Sequence, residues 1–284
     1  MKTLGRDITE TNVENKEKFD NTHIYSTSKT TIAYSSILIF DTKTHSEKEK
    51  KIKIPLLDFG TCIINLPNFK LFCYGSSIIS KGFACIIDTI NLSYKLLPSV
   101  SNSVQAEGVY YENKVYVFGG YKFNNSPLEH TFDFSKNQWF TISALPVDSI
   151  KCSCIVFNKK ILISGSKHSC IYLYDFNIDS YTIIPQSKIS LRAGICKFLV
   201  TDKIRAYAIG QLGAIYESEI LDEYSWKKVK DIYDVSFYYD KMSYVLYGNH
   251  AYFWISIQFH HDYYRFNLDT KTFERVQINN CVIF

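Results

Sequence analysis

A glycine closing a short apolar run recurs at Gly75, Gly119, Gly165 and Gly210, with separations of 44, 46 and 45 residues. A period this regular is the signature of stacked supersecondary units, and it constrains the fold more than any single motif in the chain. A second register runs beside it. An apolar or aromatic residue followed by an acid or amide appears six times, as Phe40-Asp41, Ile87-Asp88, Phe132-Asp133, Tyr174-Asp175, Tyr216-Glu217 and Phe266-Asn267. Six positions beyond Asp88, Asp133, Asp175 and Asn267 stand Tyr94, Trp139, Tyr181 and Phe273. The fifth copy reaches Trp226 after a three-residue insertion, and the first copy lacks the aromatic.

Inside a unit the apolar runs are short, β-branched or aromatic and bounded by turn residues, as in Val115-Tyr116-Val117-Phe118 and Ile171-Tyr172-Leu173-Tyr174. Such runs read as strands. The third unit shows the whole order: Gly108 to Tyr111, the turn Glu112-Asn113-Lys114, Val115 to Phe118, Gly119-Gly120, a loop, His130 to Phe134, a turn, and Trp139 to Ile142. That is a four-stranded antiparallel meander. Pro55, Pro98, Pro146 and Pro185 follow four of the units and mark where each ends, because proline cannot donate to a strand ladder. One meander buries one face at best, so the units must stack, and a closed ring leaves only short protected edges. The sequence therefore predicts an all-β protein: a short polar tail over residues 1–20 and a single six-bladed β-propeller over 21–284.

The residues just quoted resemble the kelch repeat, which carries a double glycine after the second strand and an acid-x5-Trp spacing across the third and fourth. The third unit has the full pattern, Gly119-Gly120 followed by Asp133 to Trp139. Elsewhere the doublet has become Gly75-Ser76, Gly165-Ser166 and Gly210-Gln211, and the sixth unit has Ile255-Ser256. The resemblance implies a non-catalytic protein-interaction scaffold. It also implies two alternatives, a substrate receptor working with a separate ubiquitin-ligase adaptor and a propeller enzyme resembling the copper radical oxidases.

Residues that could carry chemistry are few in pattern if not in number. The copper oxidase site needs a tyrosine joined to a cysteine with further tyrosine and histidine ligands, and no motif selects such a set among 22 Tyr, 8 Cys and 7 His. The group His260-His261-Asp262 falls in the predicted loop of the sixth unit, whereas His250 falls in a turn at the other end of the intervening strand. A strand length separates them, which is too far for a shared metal. Cys152 and Cys154 share one face of a strand and read as a core pair. No C-x-x-C, P-loop, G-x-G-x-x-G or G-x-S-x-G is present. Neither a metal nor a cofactor is expected, and the chain is not expected to be an enzyme.

Thirty-two Lys and Arg against 28 Asp and Glu leave a formal net charge of +4, short of what a nucleic-acid binder usually carries. The clusters Lys48, Lys50, Lys51, Lys53 and Lys227, Lys228, Lys230 read as solvated edges. Residues 1–20 hold nine charges and no apolar run, and no apolar stretch reaches spanning length, so a cytoplasmic protein without a membrane partner is expected.

Two further expectations follow from the meander. In the first unit strands fall near 23–26, 36–40 and 52–54 with no leading strand, so the terminal Cys281-Val282-Ile283-Phe284 is expected to close the ring as the inner strand of that blade. Loops after the second strands and links between blades share one face of the ring. That face carries Tyr121, Lys122, Phe123, Asn124, Lys167, His168, Arg192, Gln211, His260 and His261. These are the expected partner-binding residues, and their cationic lean points to a protein or acidic peptide segment.

Overall fold

The computed structural model describes residues 19, 22–27, 35–52, 61–75, 83–98, 103–104, 106–122, 129–146, 152–164, 171–184, 196–202, 204–210, 214–219, 226–231, 241–257 and 260–283. They form an all-β, six-bladed propeller with no helix among them. Blade 2 comprises β4 (Cys62–Leu66), β5 (Lys70–Tyr74), β6 (Ala84–Asp88) and β7 (Tyr94–Leu96). Blade 3 comprises β9 (Glu107–Tyr111), β10 (Lys114–Phe118), β12 (His130–Asp133) and β13 (Gln138–Thr141). Blade 4 comprises β14 (Ser153–Phe157), β15 (Lys160–Ser164), β16 (Ile171–Asp175) and β17 (Ser180–Ile184). Blade 5 comprises β18 (Cys196–Thr201), β19 (Ala206–Gly210), β20 (Ala214–Ser218) and β21 (Lys227–Asp231). Blade 6 comprises β22 (Lys241–Tyr247), β23 (His250–Ile257), β24 (His260–Asn267) and β25 (Phe273–Val276). Each of these five is an antiparallel meander in chain order.

The recurring acid ends the third strand because a short side chain can accept hydrogen bonds from backbone N–H groups two and three residues on. Asp88 Oδ1 accepts from Ile90 and Asn91 at 2.9 and 3.1 Å. Asn267 Oδ1 accepts from Asp269 and Thr270, both at 2.9 Å. Asp133 and Asp175 make the same turn. Glu217 is one methylene too long for it and instead pairs with Lys271 of the next blade at 3.3 Å.

Blade 1 differs. It comprises β1 (His23–Thr27), β2 (Ser35–Asp41) and β3 (Ser46–Ile52), with β26 (Asn280–Ile283) beyond β3. Asp41 makes the acid turn with Lys43 and Thr44, and the Thr42 N–H donates to the Thr22 carbonyl as Thr89 does to Phe69 and Leu268 to Asn249. By this register β1, β2 and β3 are the second, third and fourth strands of a repeat. The C-terminal strand completes the blade as expected, but at the outer edge and not the inner one, pairing parallel to β3 from Asn280↔Ser46 to Ile283↔Glu49. Chain reach explains this. The step from Val276 to Asn280 covers at most about 14 Å. The inner edge lies three strand spacings, again about 14 Å, nearer the axis and on a neighbouring blade. Asn279 holds the turn by donating its N–H to the His45 carbonyl and its side-chain amide to the Thr44 carbonyl. The third strand of this unit, expected at 52–54, runs instead over Ser46–Ile52.

Six apolar clusters among the described residues seal the ring, one at each junction of neighbouring blades. Two of them bracket the closure. Ile37, Ile52 and Tyr25 pack on Leu71, Cys73 and Ile87 between blades 1 and 2. Ile24 and Phe40 pack on Tyr252, Trp254 and Tyr263 between blades 1 and 6. There the Phe40 and Tyr263 rings stack, and the Tyr263 hydroxyl donates to the buried carboxylate of Glu47.

Candidate protein-interaction face

Because strands alternate in direction, the turns between first and second and between third and fourth strands lie on one face of the ring. The loops after the second strands and the interblade links lie on the other. This loop face is physically joined in blade 3. Gly119 and Gly120 leave β10 with φ of 64° and 104° and lead into β11 (Tyr121–Lys122). β11 pairs antiparallel with β8 (Ser103–Val104), which belongs to the link from blade 2, through Tyr121↔Val104 and Lys122↔Ser103. A two-stranded ribbon thus stands on the face between blades 2 and 3.

Of the residues expected to bind a partner, Tyr121 and Lys122 form one strand of this ribbon. His260 and His261 do not sit in a loop. They begin β24, opposite Ile257 and Ser256, so the hairpin extends further than its sequence indicates. They share the loop face with the ribbon but not its neighbourhood, since blades 3 and 6 stand opposite each other in a ring of six. Phe123, Asn124, Lys167, His168, Arg192 and Gln211 lie outside the described residues.

Below the ribbon stand two glutamates that sequence reading did not single out. Glu107 opens β9, and Glu129, only 3 % exposed, precedes β12. Both act on the nearby thiol of Cys152, which burial pushes well above its ordinary pKa and the two carboxylates push further. Glu129 also raises the buried hydroxyls of Tyr74 and Tyr181, in each case after burial itself. The signal was slight: single glutamates next to Gly108 and His130, with no spacing to join them.

Cys152 and Cys154 pack together between blades 3 and 4, with the Cys152 thiol 3.2 Å from the Phe118 carbonyl. Burial raises both thiols, which leaves them protonated and unreactive. His250 lies at the opposite end of β23 from His260, and its Nε2 is 3.2 Å from the Asn267 amide. Asp262 is held by the Arg275 guanidinium. Among the described residues no three His, Cys, Asp or Glu side chains gather as metal ligands, and no helix is long and apolar enough to cross a membrane. Lys48, Lys50 and Lys51 belong to β3, which β26 edges over Ser46–Glu49, so Lys48 is not at a bare edge while Lys50 and Lys51 lie beyond the paired stretch; Lys53 lies outside the described residues. Lys227, Lys228 and Lys230 do line an outer strand, β21, where Lys228 pairs with Asp231 at 2.7 Å.

No family model matches the chain, and no curated protein matches it either.

Proposed function

We propose that the protein is a non-catalytic interaction scaffold of the kelch type, working in the cytosol, and that it binds a protein segment through its loop face. The observation that carries this reading is the ribbon of β8 and β11. It raises backbone from two blades above the ring and fixes it by strand pairing, which gives a recognition surface a rigid base. The buried free thiols, including the cross-strand neighbours Cys73 and Cys85, favour a reducing compartment. Cationic side chains at Lys122, Lys167 and Arg192 favour an acidic partner segment.

Replacing Tyr121, Phe123, His168 and Arg192 together with Ala or Ser tests the proposal. The variant keeps its melting temperature and loses the proteins that co-purify with the parent from native cells. Retention of every partner overturns the reading.

A further inference from the structure

The five aromatics of the second register do not share one fate. Trp226 is 5 % exposed, and Trp139, Tyr181 and Phe273 are half-buried against the preceding blade. Tyr94 is 42 % exposed, and its neighbour on the same face of β7, Leu96, is 59 % exposed. Both stand opposite Ile87 and Cys85, which pack toward blade 1. Tyr94 and Leu96 therefore face blade 1 and are not covered by it.

The facing wall explains the gap. Ile52 of β3 packs toward blade 2, and strand alternation puts Lys50 and Lys48 on the same face as Ile52. Glu47, on the other face, turns to Tyr263 of blade 6. Lysines are poor cover for an apolar wall, so among the described residues the crevice between β3 and β7 leaves Tyr94 and Leu96 exposed. Lys95, between Tyr94 and Leu96 on β7, falls on the opposite face with Ile86, toward blade 3, so the positive charge of the crevice comes from β3.

We infer that this rim crevice is a second docking site, for an extended segment of a partner protein in which acidic residues alternate with apolar ones. The two walls set that chemistry: an extended chain points alternate side chains to opposite sides, so one set meets Tyr94 and Leu96 while the other meets Lys48 and Lys50. The rim already carries one added strand, β26 on the edge of β3. The outer edge of β7 pairs with no strand among the described residues and lacks the lysine pairs or ion pairs of β21 and β25.

The test is fluorescence polarisation of the full chain with a labelled peptide of about twelve residues alternating Glu with Val or Phe. The parent protein binds it. Lys48→Glu with Lys50→Glu, and separately Tyr94→Ser with Leu96→Ser, each weaken binding by about tenfold or more with little change in melting temperature. The loop-face variant above binds as the parent does. The inference is overturned by any of four results: no binding to the parent, undiminished binding by either rim variant, equal binding of a peptide with Lys in place of Glu, or equal binding of poly-Glu, which marks a general polyanion surface.

Discussion

Gly108 and Gly248 separate the two reasons a position in this ring needs glycine. A Cβ on Gly108 would lie 2.5 Å from Ile64 Cδ1 and 2.6 Å from the Tyr116 carbonyl oxygen, whereas one on Gly248 meets nothing within 4 Å but must accept a φ of 60°. Gly108→Ala should cost about 1–3 kcal/mol through overpacking and Gly248→Ala about 1 kcal/mol through strain, an order that urea midpoints will check. The turn acids carry a pH dependence. The Ser135 hydroxyl holds Asp133, the Asn177 N–H holds Asp175, and the Lys43 and Thr44 N–H groups hold Asp41 against its burial, all below the usual carboxylate range. Protons then bind the unfolded chain more readily than the native one. The stabilisation is complete above about pH 4 and is lost as pH falls through the lowered native values. Asp41→Asn, Asp133→Asn and Asp175→Asn together keep the acceptor, as Asn267 does naturally, so the triple variant should lose less stability between pH 7 and pH 3 than the parent. The glycine register was legible because Gly75 and Gly119 do occupy positive φ. Gly210 lies within β19 and shows that the same spacing can persist without that need.

At the scale of strands and turns, the acid-to-aromatic spacing is a blade-to-blade tie. The Trp139 indole N–H donates to the Pro98 carbonyl at 3.0 Å, and the Tyr181 hydroxyl donates to the Ser143 carbonyl at 2.8 Å. In both cases the fourth strand of one blade reaches the exit of the blade before it. Tyr181→Phe keeps the ring and removes the donor, so it should cost about 0.5–1.5 kcal/mol in thermal melts, whereas Trp139→Phe also loses part of an indole packed on Phe72 and Phe132 and should cost more. Most strands were legible from β-branched and aromatic runs, but β3 was not. Its sequence, Ser-Glu-Lys-Glu-Lys-Lys-Ile, has no apolar alternation, and it forms a strand because Glu47 finds Tyr263 and Ile52 finds the neighbouring core. The start of β24 was misread for a related reason: His260 and His261 look like loop residues, and only pairing with Ile257 and Ser256 makes them strand. The ribbon of β8 and β11 escaped because two-residue strands carry no period.

For the molecule as a whole, six repeats foretold six blades, and the junction clusters show the ring complete on both sides of blade 1. The position of the closing strand was not legible, since an apolar terminus can serve either edge of a sheet and only the short step from β25 decides between them. That position is also the most direct test of the account. Hydrogen exchange read by mass spectrometry should compare the full chain with a chain ending at residue 278. In the truncated chain, residues 46–52 of β3 should lose protection, while residues 153–164 of blade 4 keep theirs and the melting temperature falls. Unchanged protection over 46–52, or a loss confined to residues 23–27 of β1, would contradict closure at the outer edge.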